Sequence, residues 1–260
     1  MFGAGNVNSG HRHARRRLRA WGLVLAGLMV TTAACSSADD SGPDSGGAGR
    51  SAPPSGSAPA RGGTALTEAA LNDVAFAEGE RIGPYTARGT DGAPLGDLYT
   101  ADPDRCRPLV SLAAGATAHD PAAEVHRQVD IADEMIGTSV LVQLRSYARD
   151  GAAAVMKDLA AAGEACAGGY TEERAIARAR VLKVEPAGAP AIGDEAVAFR
   201  FTVLDVKGKL RLYEYLTVVR SGSTTLSFRA DFLGTKDIKA VPQEIVDAQW
   251  KKFSAARSGS

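Results

Sequence analysis

AVAFRFTVLDVKGKLRLYEYLTVVRSGSTTLSFRADF, residues 196–232, is the stretch that decides the fold of this chain. Apolar and aromatic residues alternate with polar ones along three runs, which is typical of β-strands. A short bulged loop at 206–208 and a two-residue Ser-Gly turn at 221–222 connect the runs. We therefore predict a three-stranded antiparallel meander.

The two connections also predict which residues face each other. Phe199 would lie opposite Tyr215, which would lie opposite Phe228, so one face would carry an aromatic row that also includes Phe201 and Tyr213. On the reverse face Glu214 would lie between Arg200 and Arg229, and each such cross-strand ion pair contributes roughly 0.2–1 kcal/mol. A shift of one residue would divide the aromatic row between the two faces.

Segments before the meander extend the predicted sheet. Residues 125–131 and 139–147 alternate with the period of a strand and predict a β-hairpin, and residues 176–184 predict a further strand. An amphipathic helix over 120–136, capped by Asp120, is the alternative for the first half of the hairpin.

Helical spacing marks the remaining elements. Residues 150–169 predict a helix with Cys166 on its buried stripe. Pro242 begins a second helix, whose apolar stripe is expected to cover the aromatic face and contains Val246, Trp250 and Phe253. Shorter helical turns are predicted after Thr67 and Asp102. The fold class is therefore α+β: a twisted antiparallel sheet of about five to six strands, with helices packed on one face.

Residues 1–34 have the features of an export signal. Five arginines precede an apolar run at 20–30, and no acidic residue lies among the first 34. The run is about half the roughly 20 residues that a membrane-spanning helix needs. Thr32-Ala33-Ala34-Cys35 resembles the lipobox of bacterial lipoproteins, which implies that Cys35 is acylated and becomes the mature N-terminus. Thr32 stands where the lipobox usually has Leu, so ordinary secretion and a retained anchor remain alternatives. Arg15 and Arg16 also resemble a twin-arginine signal, although a plain positive segment is the simpler interpretation.

Residues 35–64 are predicted to be the lipidated cysteine and a flexible tether. The 29 residues after Cys35 include seven Ser, seven Gly and four Pro and no large apolar side chain, so they cannot bury enough surface to fold. As a coil they would span about 30 Å. Residues 65–260 are predicted to form one extracytoplasmic α+β domain. Of 30 basic and 30 acidic residues, 25 and 30 follow the signal, a formal charge of −5, and no nucleic-acid partner is expected.

Cys106 and Cys166 are the two cysteines of the predicted domain. An even count in an exported domain predicts one disulfide. Closing a loop of about 60 residues would stabilise the fold by roughly 4 kcal/mol. Free thiols, or a catalytic cysteine paired with His119 or His126, are the alternatives.

Few residues are candidates for chemistry. The spacing of His119 and His126 matches no zinc pattern, and the predicted domain contains no short catalytic or phosphate-binding motif, so we expect no metal, cofactor or catalytic residue. One face of a predicted strand carries cations that could bind an anionic envelope polymer, although a solvated face is the simpler explanation; they are Arg174, Arg178 and Arg180. Four aromatic residues could stack on a sugar, although core packing explains them more simply; they are Trp250, Tyr213, Tyr215 and Phe228.

Four segments carry a resemblance to a family of actinobacterial lipoproteins whose folded part is similar to the extracytoplasmic sensor domain of receptor serine/threonine kinases. They are LTEAAL at 66–71, residues 140–167 with SYARDGAAAVMKDLAAAGEAC, the Gly193-Asp194-Glu195 segment, and VVRSGS at 218–223. The resemblance implies a twisted antiparallel sheet with helices on one face, a cleft, and binding without catalysis. This chain has cysteines for one of the two disulfides of that sensor domain. No functional residue carries over, so ligand-binding residues stay unknown.

We therefore expect a non-catalytic, lipid-anchored module on the outer face of the cytoplasmic membrane that binds an envelope ligand or a protein partner. An envelope hydrolase is the first alternative, and it predicts two carboxyls within about 10 Å and a shifted pKa on one of them. A structural partner in secretion or wall assembly is the second, and it predicts an exposed apolar patch, for which the candidates are Leu204, Leu212, Leu216 and Val218.

Overall fold

The structure is a computed structural model, and it describes residues 64–90, 99–110, 119–131, 139–174, 177–205, 207–231 and 236–258. Within these ranges the strands are β1 (Arg81–Ile82), β2 (Tyr85–Gly89), β3 (Tyr99–Asp102), β4 (Ala123–Ile131), β5 (Ser139–Ser146), β6 (Tyr170–Arg174), β7 (Ala177–Pro186), β8 (Glu195–Leu204), β9 (Arg211–Ser221) and β10 (Thr224–Asp231). The helices are α1 (Glu68–Val74), α2 (Arg107–Val110), α3 (Gly151–Ala165) and α4 (Gln243–Ser258), and a 3₁₀ helix spans Asp104–Cys106.

All ten strands belong to one antiparallel sheet in the order β1-β2-β4-β5-β10-β9-β8-β7-β6-β3. The fold is α+β as predicted, but the prediction of five to six strands is too low. The four strands that the sequence did not indicate are β1, β2, β3 and β6, which have two to five residues each. Runs this short show little alternation, so they form only because longer strands offer an edge to pair with.

The hairpin predicted over 125–131 and 139–147 is confirmed as β4 and β5. Val125 lies opposite Leu144 and Val129 opposite Val140, and all four side chains are buried. The alternative helix over 120–136 is wrong because β4 pairs with β5 on one side and with β2 on the other. The strand expected at 176–184 is β7.

The predicted register of the meander is wrong by one residue between β8 and β9. Phe199 lies opposite Leu216, and Arg200 lies opposite Tyr215. The amide of Asp205 donates to the carbonyl of Leu210 at 2.9 Å, so the pairing continues one step beyond Leu204 and Arg211. Four residues, 206–209, therefore connect the two strands instead of the three that were predicted. The Asp205 carboxylate accepts from the amides of Lys209 at 2.5 Å and Leu210 at 2.7 Å, and these bonds stabilise the longer loop.

The turn between β9 and β10 also differs from the prediction. Ser221 lies opposite Thr224, so residues 222–223 form the connection instead of 221–222. Gly222 has a φ of +59°, and the first central position of such a hairpin turn requires a positive φ, which glycine adopts without strain. The change moves the pairing by two residues, so Tyr215 faces Ala230 instead of Phe228. Both residues stay on the same face.

The one-residue difference divides the predicted aromatic row between two apolar cores. Phe199 and Phe201 pack against α3 in one core. Tyr215 and Phe228 pack with α1 and α4 in the other core, and Tyr213 lies at its margin. Helices therefore cover both faces of the sheet, and the prediction that they pack on one face is wrong. The physical reason is that strand β9 is apolar on both faces, as Tyr215 and Leu216 are 1% and 3% exposed.

The reverse-face charge pattern is correct in part. Glu214 binds Arg229 at 2.6 Å, as predicted. Arg200 points to the other face, where it binds Glu185 at 2.6 Å and Asp237 at 2.7 Å. The hydroxyl of Tyr215 donates to Asp237 at 2.7 Å, so this network holds the segment before α4 against the sheet.

Helices α1 and α3 form as the sequence predicts. Thr67 caps α1, where its hydroxyl accepts from the amide of Ala70 at 3.2 Å. Helix α3 begins after Asp150, and its C-cap Cys166 is bonded to Cys106, which confirms the predicted disulfide. The turn predicted after Asp102 forms as the 3₁₀ helix and α2.

Helix α4 begins one residue after Pro242, as predicted, and Val246 and Phe253 are buried. Trp250 is partly buried beside Phe253, with ring centroids 6.0 Å apart. The side chain of Gln249 connects α4 to the end of α1, because its amide nitrogen donates to the carbonyl of Val74 at 2.7 Å.

The predicted signal, Cys35 and the tether up to residue 63 lie outside the described residues. Among the helices that the structure describes, none is both long and apolar enough to cross a membrane.

Candidate functional site

A row of polar residues crosses the middle of the sheet on the face opposite the α4 core. Glu124 of β4 lies opposite Arg145 of β5, which lies opposite Thr225 of β10. Their strand neighbours Val125, Leu144 and Leu226 point into the α4 core. Because side chains alternate along a strand, the polar residues must point to the other face. We call Glu124, His126, Arg145, Tyr147 and Thr225 the polar cluster.

Arg145 is the centre of the polar cluster, and its side chain is 2% exposed. Its Nε lies 3.0 Å from Oε2 of Glu124. The same carboxylate oxygen lies 3.4 Å from Nε2 of His126. Exposure increases outward, to 13% for the His126 side chain and 26% for that of Glu124. The cluster therefore runs from a buried guanidinium to a partly exposed rim.

Apart from the atoms that form the contacts of Glu124 with Arg145 and His126, three buried polar atoms of the cluster have no well-aligned hydrogen-bond partner in the described part of the chain. They are Nη2 of Arg145, Oη of Tyr147 and Oγ1 of Thr225. Tyr147 lies within hydrogen-bonding reach of both Arg145 and Thr225, so the three groups are neighbours, although their alignment is poor. A buried polar group without a good partner costs about 1–3 kcal/mol. Three of them in one place make the cluster a candidate for binding the polar atoms of a ligand.

The pKa values in the cluster follow from burial and charge. The side-chain contact with His126 and the positive charge of Arg145 hold the pKa of Glu124 below its usual range, although burial opposes them. Burial lowers the pKa of Arg145 and raises the pKa of Tyr147. At neutral pH Glu124 is therefore ionised and offsets the charge of Arg145, and Tyr147 keeps its proton. The cluster can donate and accept hydrogen bonds without a large net charge.

The two histidines do not come together. His119 lies 3.0 Å from Oδ2 of Asp158 on α3, whereas His126 belongs to the polar cluster. Among the described residues no group of three or more histidine, cysteine, aspartate or glutamate side chains could hold a metal ion.

Two of the described carboxyls meet the spacing that the hydrolase hypothesis predicts: Glu185 and Asp237 approach each other because both bind Arg200. Partial burial raises the pKa of Asp237, but hydrogen bonds from Lys239, Tyr215 and Arg200 outweigh it and lower this pKa well below its usual range. The described carboxyls with shifted pKa values all shift downward; they are Glu80, Glu124, Glu185, Asp205 and Asp237. A general acid needs a raised pKa.

The apolar patch that the structural-partner hypothesis requires is not found among the residues it named. Leu216 and Val218 are 3% and 0% exposed because they pack under α3. Leu204 and Leu212 are half-buried. The sugar-stacking candidates Tyr215 and Phe228 are 1% and 0% exposed and belong to the core.

The predicted cationic strand face divides into different environments. Arg178 binds Glu173, Arg180 is exposed, and the side chain of Arg174 lies outside the description. An open cavity of about 260 Å³ lies beside Arg180, where β3, β6 and β7 meet the end of α3. Its lining includes Asp102, Gly168 and Thr171.

The polar cluster was not identified from the sequence, although one signal for it exists. Arg145 is the one charged residue in VLVQLRSY, residues 140–147, which otherwise alternates as a half-buried strand. A charged residue in such a run must find a partner in the fold. The partner, Glu124, is 21 positions away on another strand, which strand pairing alone reveals.

The fold is similar to that of the extracellular domain of PknH from Mycobacterium tuberculosis, a serine/threonine kinase sensor domain, so the resemblance expected from the sequence is confirmed for the fold. This match has a TM-score of 0.52 and 12% identity over 75% of this chain and 98% of that chain. An uncharacterised protein of Mycobacterium smegmatis, the Rv0999 ortholog, matches with a TM-score of 0.32 and 14% identity over 68% of this chain and 88% of that one, which is too low to support an argument. No protein-family model and no curated protein matches the chain.

Proposed function

We propose that this protein is a lipid-anchored, non-catalytic sensor-like module that binds a polar envelope ligand at the polar cluster. The observation that carries the proposal is the convergence of three buried polar atoms, on Arg145, Tyr147 and Thr225, that lack a well-aligned partner among the described residues. If these residues served only to stabilise the fold, we would expect their polar atoms to bind each other well or the positions to hold apolar residues.

The chemistry of the cluster favours a neutral ligand that carries hydroxyl or amide groups. Glu124 offsets the charge of Arg145 at 3.0 Å, so an anionic ligand would meet a carboxylate as well as a guanidinium. Two hydroxyls and one guanidinium nitrogen are the groups that the ligand would contact. Both kinds of group bind neutral oxygen atoms well.

Three features support a position outside the cytoplasm. Residues 1–34 read as an export signal that ends at Cys35. The Cys106–Cys166 disulfide suits an oxidising compartment. The matching PknH domain is extracellular by its description. We place the protein on the outer face of the cytoplasmic membrane, held by acyl chains on Cys35.

The anchor is tested by mass spectrometry of the mature N-terminus and by Cys35→Ser. We expect the native protein to begin with a diacylated or triacylated Cys35 and to sediment with membranes. The variant should lose the acyl chains and leave the membrane fraction. A native N-terminus without acyl groups, starting at or near residue 35, would mean ordinary secretion and would overturn the anchor.

The ligand site is tested with N-acetylglucosamine oligomers as the probe, titrated by calorimetry. Thr225→Val and Tyr147→Phe each remove one hydroxyl without changing the size of the side chain. Because neither hydroxyl has a well-aligned hydrogen-bond partner in the described part of the chain, we expect each variant to change the free energy of unfolding by less than about 1 kcal/mol. Their affinity for the probe should fall about tenfold, as expected for one lost hydrogen bond.

Arg178→Lys is the matched control, because Arg178 is 78% exposed and remote from the cluster in the strand order. It should leave affinity unchanged. Absence of binding to the wild-type protein, or equal affinity in all three variants, would contradict the proposed ligand chemistry.

A further inference from the structure

One large apolar side chain is exposed in the part of the chain that the structure describes. It is Leu210, which is 51% exposed in the loop between β8 and β9. The other large apolar side chains of this region are at least partly buried. A single exposed leucine is ordinary on a protein surface, so what distinguishes Leu210 is the set of charged side chains around it.

Cationic side chains surround Leu210. Arg180 lies opposite Leu204, which lies opposite Arg211. The two arginines therefore point to the same face of the sheet, two strand spacings or about 10 Å apart. Lys209 and Arg211 flank Leu210 in the chain, Lys207 lies three residues before it, and all four cations are exposed. We call Arg180, Lys207, Lys209, Leu210 and Arg211 the basic loop patch.

The charge of the basic loop patch is largely uncompensated. Arg180, Lys209 and Arg211 form no ion pair in the described part of the chain. Two carboxylates lie nearby: Asp205, which accepts hydrogen bonds from the backbone of its own loop, and Asp102, which lines the same cavity as Arg180. Four cations and two carboxylates give a local charge of +2, whereas the chain after the signal carries −5. The patch is thus a positive end on a negative protein.

Hydrogen bonds of the loop backbone fix the position of Leu210. The Asp205 carboxylate accepts from the amides of Lys209 and Leu210, and Gly208 has a φ of +67°, which glycine adopts without strain. The exposure of Leu210 is therefore a property of an ordered loop. An apolar side chain between Lys209 and Arg211 suits the interface of a bilayer, where the leucine enters the acyl boundary and the cationic groups stay among the headgroups.

From this arrangement we infer that the basic loop patch docks on the surface of a bilayer that contains anionic lipids. A soluble anionic polymer would satisfy the cations but would leave Leu210 in water. An anionic lipid surface would bind the cations through its headgroups and would also bury Leu210. Docking would give the sensor-like domain one preferred orientation, which an anchor on a long tether cannot do.

The place where the chain enters the domain is compatible with docking. The carbonyl of Thr64 accepts from Ser223, and the amide of Leu66 donates to Ser146, so the chain enters beside the turn between β9 and β10. The basic loop patch lies at the other end of β9, whose 11 residues span about 35 Å. The 29 residues between Cys35 and Ala65 would span about 30 Å as a coil. The inference rests on the proposed anchor for its orientation, since the anchor brings the patch to the membrane.

The test uses the mature lipidated protein reconstituted into vesicles of neutral phosphatidylcholine, with or without 30% phosphatidylglycerol. Hydrogen exchange of the backbone amides at 207–211 is compared between the two. We expect exchange to slow at least tenfold in the anionic vesicles. Each cation near an anionic surface contributes about fivefold, so Lys207→Glu/Lys209→Glu should abolish the protection, and Leu210→Ser should reduce it.

Lys157→Glu/Lys251→Glu is the matched control, because it changes the charge equally at two exposed lysines on α3 and α4. It should keep the protection. If the loop variant does not fold, the wild-type protein still decides the matter, because raising the salt from 0.1 to 1 M shortens the screening length from about 10 to 3 Å and should remove the protection.

Equal exchange in both kinds of vesicle would overturn the inference, and so would equal loss in the control variant. Protection by a soluble anionic polymer in neutral vesicles would show that the partner is a polymer and would also overturn it. Failure of the anchor looks different, because the native protein would then not float with vesicles of either composition.

Discussion

The guanidinium of Arg145 contacts the carboxylate of Glu124 at 3.0 Å, and it does so with 2% of the arginine side chain exposed. A buried charge pair of this kind contributes little net stability while intact, but loss of one partner leaves an unpaired buried charge. The pair joins β4 to β5 at the centre of the polar cluster. It is therefore the contact on which both the sheet and the proposed site depend.

We expect Glu124→Gln to lower the free energy of unfolding by about 3 kcal/mol, because Arg145 would remain buried without a counter-charge. Glu173→Gln is the matched control, since its partner Arg178 is 78% exposed. An exposed pair should contribute less than about 1 kcal/mol. Urea denaturation at pH 7 measures both values. Similar losses in the two variants would contradict the expectation that the buried Arg145 depends on its counter-charge more than the exposed Arg178 does.

The phenol of Tyr215 should make stability depend on alkaline pH. Burial, together with the hydrogen bond to Asp237, raises the pKa of Tyr215 from 10.0 to about 12. The folded state therefore favours the protonated phenol. This contribution is complete below pH 10 and is lost as the pH rises from 10 to 12.

Tyr215→Phe cannot titrate at this position. We expect the wild-type protein to be more stable than this variant by about 1 kcal/mol below pH 10. The difference should shrink between pH 10 and 12. Denaturation curves at several pH values measure it, and a difference that stays constant over this range would show that Tyr215 is not protonated preferentially in the folded state.

Gly163 lies where α3 packs against Phe199 of β8, with no space for a larger residue. A Cβ atom at this position would lie 2.3 Å from Cε1 of Phe199. Alanine stabilises an exposed helix position relative to glycine by up to about 1 kcal/mol, but overpacking costs about 1–3 kcal/mol. We expect Gly163→Ala to be destabilising in thermal unfolding. Gly168→Ala, with open space around its Cβ, is the control, and a stabilised Gly163→Ala would mean that Phe199 lies elsewhere.

The Cys106–Cys166 disulfide should contribute strongly to stability. It closes a loop over a sequence separation of 60 residues, and in the chain-entropy model such a bridge contributes roughly 4 kcal/mol. We expect Cys106→Ala/Cys166→Ala to lose an amount of this order in guanidinium denaturation. Alkylation of protein recovered from the envelope, without reductant, should label neither cysteine. Labelling of both would contradict the bridge.

The elements that follow local rules could be predicted from the sequence. The strands of the hairpin and of the meander alternate clearly, α3 and α4 show helical spacing, and two cysteines in an exported domain form one bridge. These properties depend on neighbouring residues or on simple counting. The short strands β1, β2, β3 and β6 could not be found in this way, because a run of two to five residues is a strand only when a neighbouring edge binds it.

The polar cluster was beyond sequence analysis for a related reason. Arg145 and Glu124 are ordinary residues in their own strands, and only the pairing of β4 with β5 brings them together. The same holds for the basic loop patch, where Arg180 joins Arg211 across β8.

By itself, the sequence determined which long segments become strands or helices and which cysteines are available, because periodicity and count are local properties. The tertiary structure alone decided how those segments face each other. One extra loop residue, held by hydrogen bonds to Asp205, turned Phe199 and Tyr215 toward opposite faces. Side chains alternate between faces at every residue, so a single change in loop length exchanges the two faces of a strand relative to its neighbour.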